Sequence, residues 1–256
     1  EKIEDYITEK KYSPYSTIKE LRDDPDYQKT PICERTLYNY IDRELLLNVT
    51  KKDLPRKGKK SKRKYRRVTK RIRDVEAKRI DDRPEGANER SEIGHWEMDC
   101  VESGRGKGRA CLLVLNERRS RETLIFKLRS QTQKEVLRQI DEYENKIGFK
   151  RFREKFKTIT VDNGSEFLDW RKLERSCVSI RGEPRTQIYY CHPYHSWERG
   201  TNEQAIGHIR RFIPKGSAIA EYSKKEILKI QEWLNSYPRK VLNGKSAKEV
   251  IREESA

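Results

Sequence analysis

The chain has 256 residues, 59 Lys and Arg against 42 Asp and Glu, a formal net charge of +17 and an apolar fraction of only 33%. That length accommodates one medium and one small domain, and the low apolar fraction implies segments with little core of their own. No run of 18 apolar residues is present to span a bilayer, and no signal peptide opens the chain. The chain begins at Glu1 and its only methionine is Met98, so the native start is expected upstream. Cys33, Cys100, Cys111, Cys177 and Cys191 are scattered without a CxxC pair, the pattern of reduced thiols in a cytosolic protein. Cys191, His192 and His195 lie together, but no second Cys/His pair completes a zinc set at recognisable spacing.

Residues 1–48 read as short helices. The stretch SPYSTIKELRD (13–23) has helix-forming character, and CERTLYNYIDREL (33–45) follows the breaks at Pro25 and Pro31. In the second stretch Leu37, Ile41 and Leu45 recur every four residues and are expected to face a small core. Arg35, Tyr38, Asn39 and Arg43 then face outward. This is the outline of a helix-turn-helix whose second helix reads DNA; an ordinary helical hairpin has the same pattern.

Residues 51–73 (KKDLPRKGKKSKRKYRRVTKRIR) hold fourteen Lys and Arg against the single acid Asp53. Such a density of like charge repels itself without a partner. Between a DNA-reading module and a folded domain, it is expected to contact DNA through Lys59, Lys60, Arg63, Lys64, Arg66 and Arg67, each phosphate neutralised releasing a counterion. Residues 49–90 are therefore assigned as a basic linker.

Residues 91–236 form the folded body. Strands are expected at GHWEMDCVE (94–102), ACLLVLNE (110–117), ETLIFKL (122–128), KTITVD (157–162) and TQIYYC (186–191), the second and third forming a hairpin. Helices are expected at TQKEVLRQIDEYENKIG (132–148), TNEQAIGHIRRFI (201–213) and SKKEILKIQEWLNSY (223–237), the last opening with a capping box from Ser223 to Glu226. This order is an α/β class: a mixed five-stranded sheet flanked by helices, preceded by a small all-α domain. Residues 237–256 are expected as a tail packed on this body.

Three acids stand out by position. Asp99 lies in the first strand, Asp162 ends the fourth, and Glu203 sits in the first turn of the following helix. Asp162 precedes Asn163-Gly164, so it also suits a simple turn. Carboxylates brought to one sheet edge would repel and be neutralised by raised pKa values unless cations join them. Mg²⁺, a hard ion taking oxygen ligands, water and phosphate, removes that penalty. Two such ions then serve phosphodiester displacement, one activating the nucleophile and one the leaving oxygen.

GHWEMD (94–99), NERRSR (116–121), VDNGSEF (161–167), HPYHSWERGTNEQAIGHIRRFIPKG (192–216) and NSYPRKVLNGKSAKEV (235–250) together resemble the transposases of the insertion-sequence-thirty (IS-thirty) family. The match covers about residues 90–250. It implies an RNase H-like core with a DDE carboxylate triad, carried over as Asp99, Asp162 and Glu203, the last within RGTNE. It also implies upstream helix-turn-helix binding of terminal inverted repeats, two Mg²⁺ ions per site with Mn²⁺ as substitute, double-stranded DNA as partner, a homodimer or larger on DNA, and a bacterial cytoplasmic, nucleoid-associated location. Met98-Asp99-Cys100 departs from the small neighbours expected around the first acid.

Around the triad several readings stay open. Glu97 is either a metal ligand or an arginine partner, with pairing favoured. Glu166 fits a helix-start acid facing the dipole. Asn163 either holds Asp162 or a metal-bound water, or serves the turn alone. His192 and His195 either contact the scissile phosphate or hydrogen-bond the backbone. Trp197 is expected to anchor its loop and Asn202 to support Glu203. Arg199, Arg210 and Arg211 are expected on DNA phosphates. Besides a transposase that cuts DNA and transfers strands, a non-catalytic DNA-binding regulator and a stand-alone nuclease fit the same fold.

Overall fold

The computed structural model describes residues 1–22, 24–29, 31–55, 76–193 and 195–254. They divide into two units, one of residues 1–67 with 236–256 and one of residues 68–235. The basic candidates Lys59, Lys60, Arg63, Lys64, Arg66 and Arg67 lie outside the described residues.

In the helical unit α1 (Lys2–Thr8), α2 (Pro14–Leu21), α3 (Pro25–Lys29) and α4 (Glu34–Asp42) enclose Ile7, Ile18, Leu37, Ile41 and Val49. Pro14 opens α2 where its missing N–H costs nothing, and Ser13 Oγ accepts from Ser16 N (3.2 Å). Leu37 and Ile41 face the core as expected, but Leu45 is 61% exposed. The reason is local: α4 ends at Asp42 and Glu44 turns the chain at φ 55, breaking the four-residue spacing.

The segment 237–256, expected on the sheet body, clusters instead with residues 1–67. Ser16 Oγ donates to the Pro238 carbonyl (2.9 Å), Tyr237 meets Tyr12 edge-on at 5.4 Å, and Lys240 pairs with Glu34. The segment ends in α11 (Ala247–Glu254).

The second unit is built on β1 (His95–Glu102), β2 (Cys111–Glu117), β3 (Thr123–Leu128), β4 (Thr158–Val161) and β5 (Gln187–Tyr190), in the order β3-β2-β1-β4-β5. The first three strands are antiparallel neighbours, and β1, β4 and β5 run parallel. This is the RNase H-like sheet expected. The linker assignment ends too late, because residues 78 and 79 already run along the outer edge of β5: Tyr190 N donates to Lys78 O (3.0 Å). That contact covers an edge strand that would otherwise expose its hydrogen-bonding groups.

Strand alternation sorts the two faces. Trp96 and Met98 of β1, Leu113 and Leu115 of β2, and Ile159 and Val161 of β4 pack under α6 (Gln133–Ile147) and α7 (Phe149–Lys155). The bulky Met98 beside the first acid is thus absorbed by the core on the face away from it. On the other face Val101, Leu112, Val114 and Ile125 pack under α9 (Gly200–Phe212) and α10 (Lys224–Ser236). That second face turns polar along β1 and β4, where His95, Glu97, Asp99, Thr158 and Thr160 follow one another.

Buried arginines cover this polar half. Arg118 Nη1 donates to Glu97 Oε1 and its Nε to Ala87 O (2.8 Å), Ala87 lying in the one-turn helix α5 (Glu85–Glu89). Arg83 Nη1 reaches Thr160 Oγ1 (3.1 Å), and burial lowers its pKa to about 10. Glu97 is fully buried, so the pairing reading of that residue is the one the structure adopts.

Two variants check this architecture by urea unfolding. Leu113→Ala, in the fully buried centre of β2, is expected to cost about 2–5 kcal/mol. Arg118→Ala strands the Glu97 carboxylate without its cation and is expected to cost about 3–5 kcal/mol; a loss under 1 kcal/mol would show that Glu97 does not depend on Arg118.

Candidate active site

Asp99 and Asp162 reach the same place by different routes. Asp99 projects from β1 toward α9, and Asp162 follows the last residue of β4, two positions beyond Thr160 on the same face. Asp162 Oδ1 accepts from Gly164 N (2.8 Å), closing a turn. A Cβ on Gly164 would stand 2.8 Å from that same oxygen and 2.7 Å from Glu166 Oε2, so a side chain there would push on both carboxylates. Asn163 Nδ2 donates to Cys191 O (3.0 Å), tying the end of β4 to the end of β5, while its Oδ1 is buried with no hydrogen-bond partner among the described residues.

The two aspartates share one cation. Arg199 Nη1 lies 2.8 Å from Asp99 Oδ2 and Nη2 lies 3.0 Å from Asp162 Oδ2. Arg199 was expected on DNA. It is 8% exposed and lies between two facing carboxylates, for which it is the one ion-pair partner among the described residues. Despite burial, the two aspartates hold its pKa up. Burial pushes the Asp99 carboxyl up to about 6; Arg199 pulls against this and Asp162 adds to it.

Glu203 lies in the first turn of α9 and is exposed. Its neighbour Asn202 fixes that turn: the Asn202 backbone N–H donates to Glu97 Oε2 (2.9 Å) and its Oδ1 accepts from Asn116 Nδ2. Arg121 Nη1 donates to Thr201 Oγ1 (2.7 Å) in the same turn. Among the described residues, no set of ligand atoms within 4.8 Å joins Glu203 to the two aspartates. The structure therefore brings two of the three acids together and places the third on the adjoining helix.

The remaining candidates divide. His192 Nδ1 (2.8 Å) and His195 Nδ1 (3.1 Å) both contact Glu198 Oε1, and His192 Nε2 lies 3.0 Å from Asp81. The hydrogen bond to Glu198 raises the His192 pKa. Ligand atoms of His192, His195 and Glu198, one from each, lie within 4.8 Å of one another, and the hydrogen bonds to Glu198 account for the grouping. Trp197 is 65% exposed and stacks on His195 at 4.3 Å. Arg210, a candidate for DNA phosphates, donates to the carbonyls of Glu102 (3.1 Å) and Pro214 (3.4 Å). Arg211 is half-buried. In the helical unit Arg35, Tyr38, Asn39 and Arg43 are all exposed on or just after α4. The roles of Arg83, Arg118 and Arg121 escaped the sequence reading, although NERRSR marked the last two.

The integrase core domain family matches residues 89–196. The chain is 34% identical over 218 residues to the probable transposase for the insertion-like sequence element IS1161 of Streptococcus salivarius, covering 85% of this chain and 58% of that protein. It is 31% identical over 252 residues to the transposase InsI for element IS30A of Escherichia coli K12, covering 95% and 62%. The catalytic core domain of BIV integrase aligns over 64% of this chain and 97% of its own, with a TM-score of 0.46 and 17% identity. The chain thus spans about six-tenths of the length of the curated relatives it matches. By sequence the chain is similar to transposases of IS30-type insertion sequences, and its residues 89–196 match the integrase core domain.

Proposed function

We propose that this chain cuts DNA strands at the ends of an insertion sequence and joins the freed 3′-hydroxyl to target DNA. One observation carries this reading: carboxylates from two parallel strands converge on a single cation at 2.8 and 3.0 Å. A hard-oxygen pair that already binds one positive charge fits a divalent ion. Asp99, Asp162 and Glu203 would hold it, Mg²⁺ or in its place Mn²⁺. The chemistry such ions supply is activation of a water or 3′-hydroxyl and stabilisation of the departing oxygen, two ions acting in line.

The chain's own residues do the rest. Arg199 bridges the aspartates, and a divalent ion held there would compete with its guanidinium for both Oδ2 atoms. Asn202, through Glu97 and Asn116, fixes the turn from which Glu203 extends. Arg35, Tyr38, Asn39 and Arg43 are the candidates for reading the terminal inverted repeats within a module of residues 1–48, and the basic segment 51–73 for binding backbone phosphates. Acting on two element ends calls for a dimer or larger, and acting on DNA for the bacterial cytoplasm.

A second reading has one observation in its favour. Arg199 bridges the two aspartates and offsets one of their two charges, an arrangement that a DNA-binding regulator that has lost catalysis would also keep. Nicking of an inverted-repeat duplex in Mg²⁺ or Mn²⁺ separates the two. Outer-sphere partners of a metal are worth about 10–100-fold, so Asp162→Asn and Glu203→Gln, which alter ligands, are expected to lose at least about 100-fold in nicking rate. Duplex binding should be unchanged. Nicking by Asp162→Asn at the wild-type rate would end the proposal.

Arg199→Gln tests the competition between guanidinium and metal. Its melting temperature without metal should fall, since two aspartates are left facing each other. The rise in melting temperature on adding Mn²⁺ should exceed that of the wild type. An equal or smaller rise would mean that Arg199 does not stand in the way.

A further inference from the structure

The hairpin between β1 and β2 reads Ser-Gly-Arg-Gly-Lys-Gly-Arg-Ala over residues 103–110. Cations at 105, 107 and 109 alternate with glycines, and no acid occurs from Gly104 to Asn116. Gly106 and Gly108 have φ of 75° and 93°, and a Cβ at either would meet nothing within 4 Å. Their absence of side chain serves backbone conformation and close approach, not packing.

The base of this hairpin is firmly held. Gly104 N donates to Ser217 O (2.9 Å), and Ser103 Oγ donates to Ala110 O (2.6 Å) while accepting from Ile219 N (3.0 Å). Gly104 lies so close to Gly216 that a Cβ would stand 2.2 Å from its carbonyl oxygen. Arg210, on α9, adds its bond to Glu102 O. A pinned stalk thus presents Arg105, Lys107 and Arg109 beside Lys215. All four are exposed, and among the described residues none of their side chains has an ion-pair or hydrogen-bond partner.

Their position matters as much as their charge. Because β1 and β4 run parallel, their carboxyl ends share one sheet edge. Asp99 precedes the end of β1 by three residues, so the hairpin begins about 10 Å from the aspartate pair at ~3.3 Å per residue. Exposed cations beyond that point raise the local concentration of a polyanion. Glycines between them offer no side chain for reading base edges, whereas Arg and Lys suit phosphate oxygens.

We infer that Arg105, Lys107, Arg109 and Lys215 grip the phosphate backbone of duplex DNA without sequence preference and hold it across the carboxylate edge. The inference rests on the reading of this protein as a DNA-acting enzyme and names a contact that reading lacks, since Arg199 and Arg210 are engaged within the fold.

The test is duplex binding by the full chain, followed by fluorescence anisotropy over a range of NaCl. Three proteins are compared: wild type; Arg105→Gln with Lys107→Gln and Arg109→Gln; and a control with Lys224→Gln, Lys225→Gln and Lys229→Gln, which removes the same charge from exposed positions of α10. Each lost phosphate contact lowers the salt slope by about 0.9, so the hairpin variant should lose about 2–3 from the slope, and the control close to none. A wild-type slope in the hairpin variant, or an equal drop in the control, overturns the inference. Asp162-dependent nicking by the wild type, measured alongside, leaves the proposed function standing in that event. A wild-type chain that binds no duplex overturns both.

Discussion

Carboxylates buried on one face of β1 set the terms for the sheet unit. A strand crossing the centre of a sheet ordinarily buries apolar side chains on both faces, as β2 does. β1 instead lines one face with His95, Glu97 and Asp99, and charge in that position is tolerated only when paired. Arg118 meets Glu97 and Arg199 meets Asp99. These arginines come from the β2–β3 turn and from the approach to α9, so pairing the carboxylates also fixes where those segments lie.

The same arrangement separates stability from chemistry along a few residues. Glu97 is sealed by Arg118 and by the Asn202 backbone, with no oxygen left for solvent or a ligand. One turn of alternation further, Asp99 retains 22% exposure and looks across to Asp162 at 38%. The inner acid thus docks the helix that carries Glu203, and the outer acids face the edge where a substrate can approach. Arg199 stands at the boundary, buried, with its guanidinium bridging the two carboxylates.

Charge elsewhere on the unit follows from the same economy. Arginines in a basic chain look interchangeable, but those near buried carbonyls or carboxylates are drawn inward: Arg83, Arg118, Arg199 and Arg210 each have internal acceptors. Cations without such acceptors stay in water. The hairpin from Gly104 to Arg109 is where they concentrate at the carboxylate edge, on a backbone whose glycines let the chain turn without covering them.

Much of this was legible in the amino-acid order. The apolar spacing of Val136 and Ile140, the alternation in β1 to β4 and the Ser223–Glu226 capping box are local patterns, and local patterns survive folding. Asp162 could be singled out because Asn163-Gly164 marks the end of its strand, and Asp99 because it lies within a strand beside a paired apolar hairpin. Sequence could not say that Arg199 would join them, since its partners lie 100 and 37 residues away. Nor could it show Arg118 on Glu97, residues 78 and 79 along β5, or residues 236–256 with the first helices. Periodicity reports which face of a segment is apolar; which cation meets which carboxylate depends on strand order and on burial, and those exist only once the chain has closed on itself.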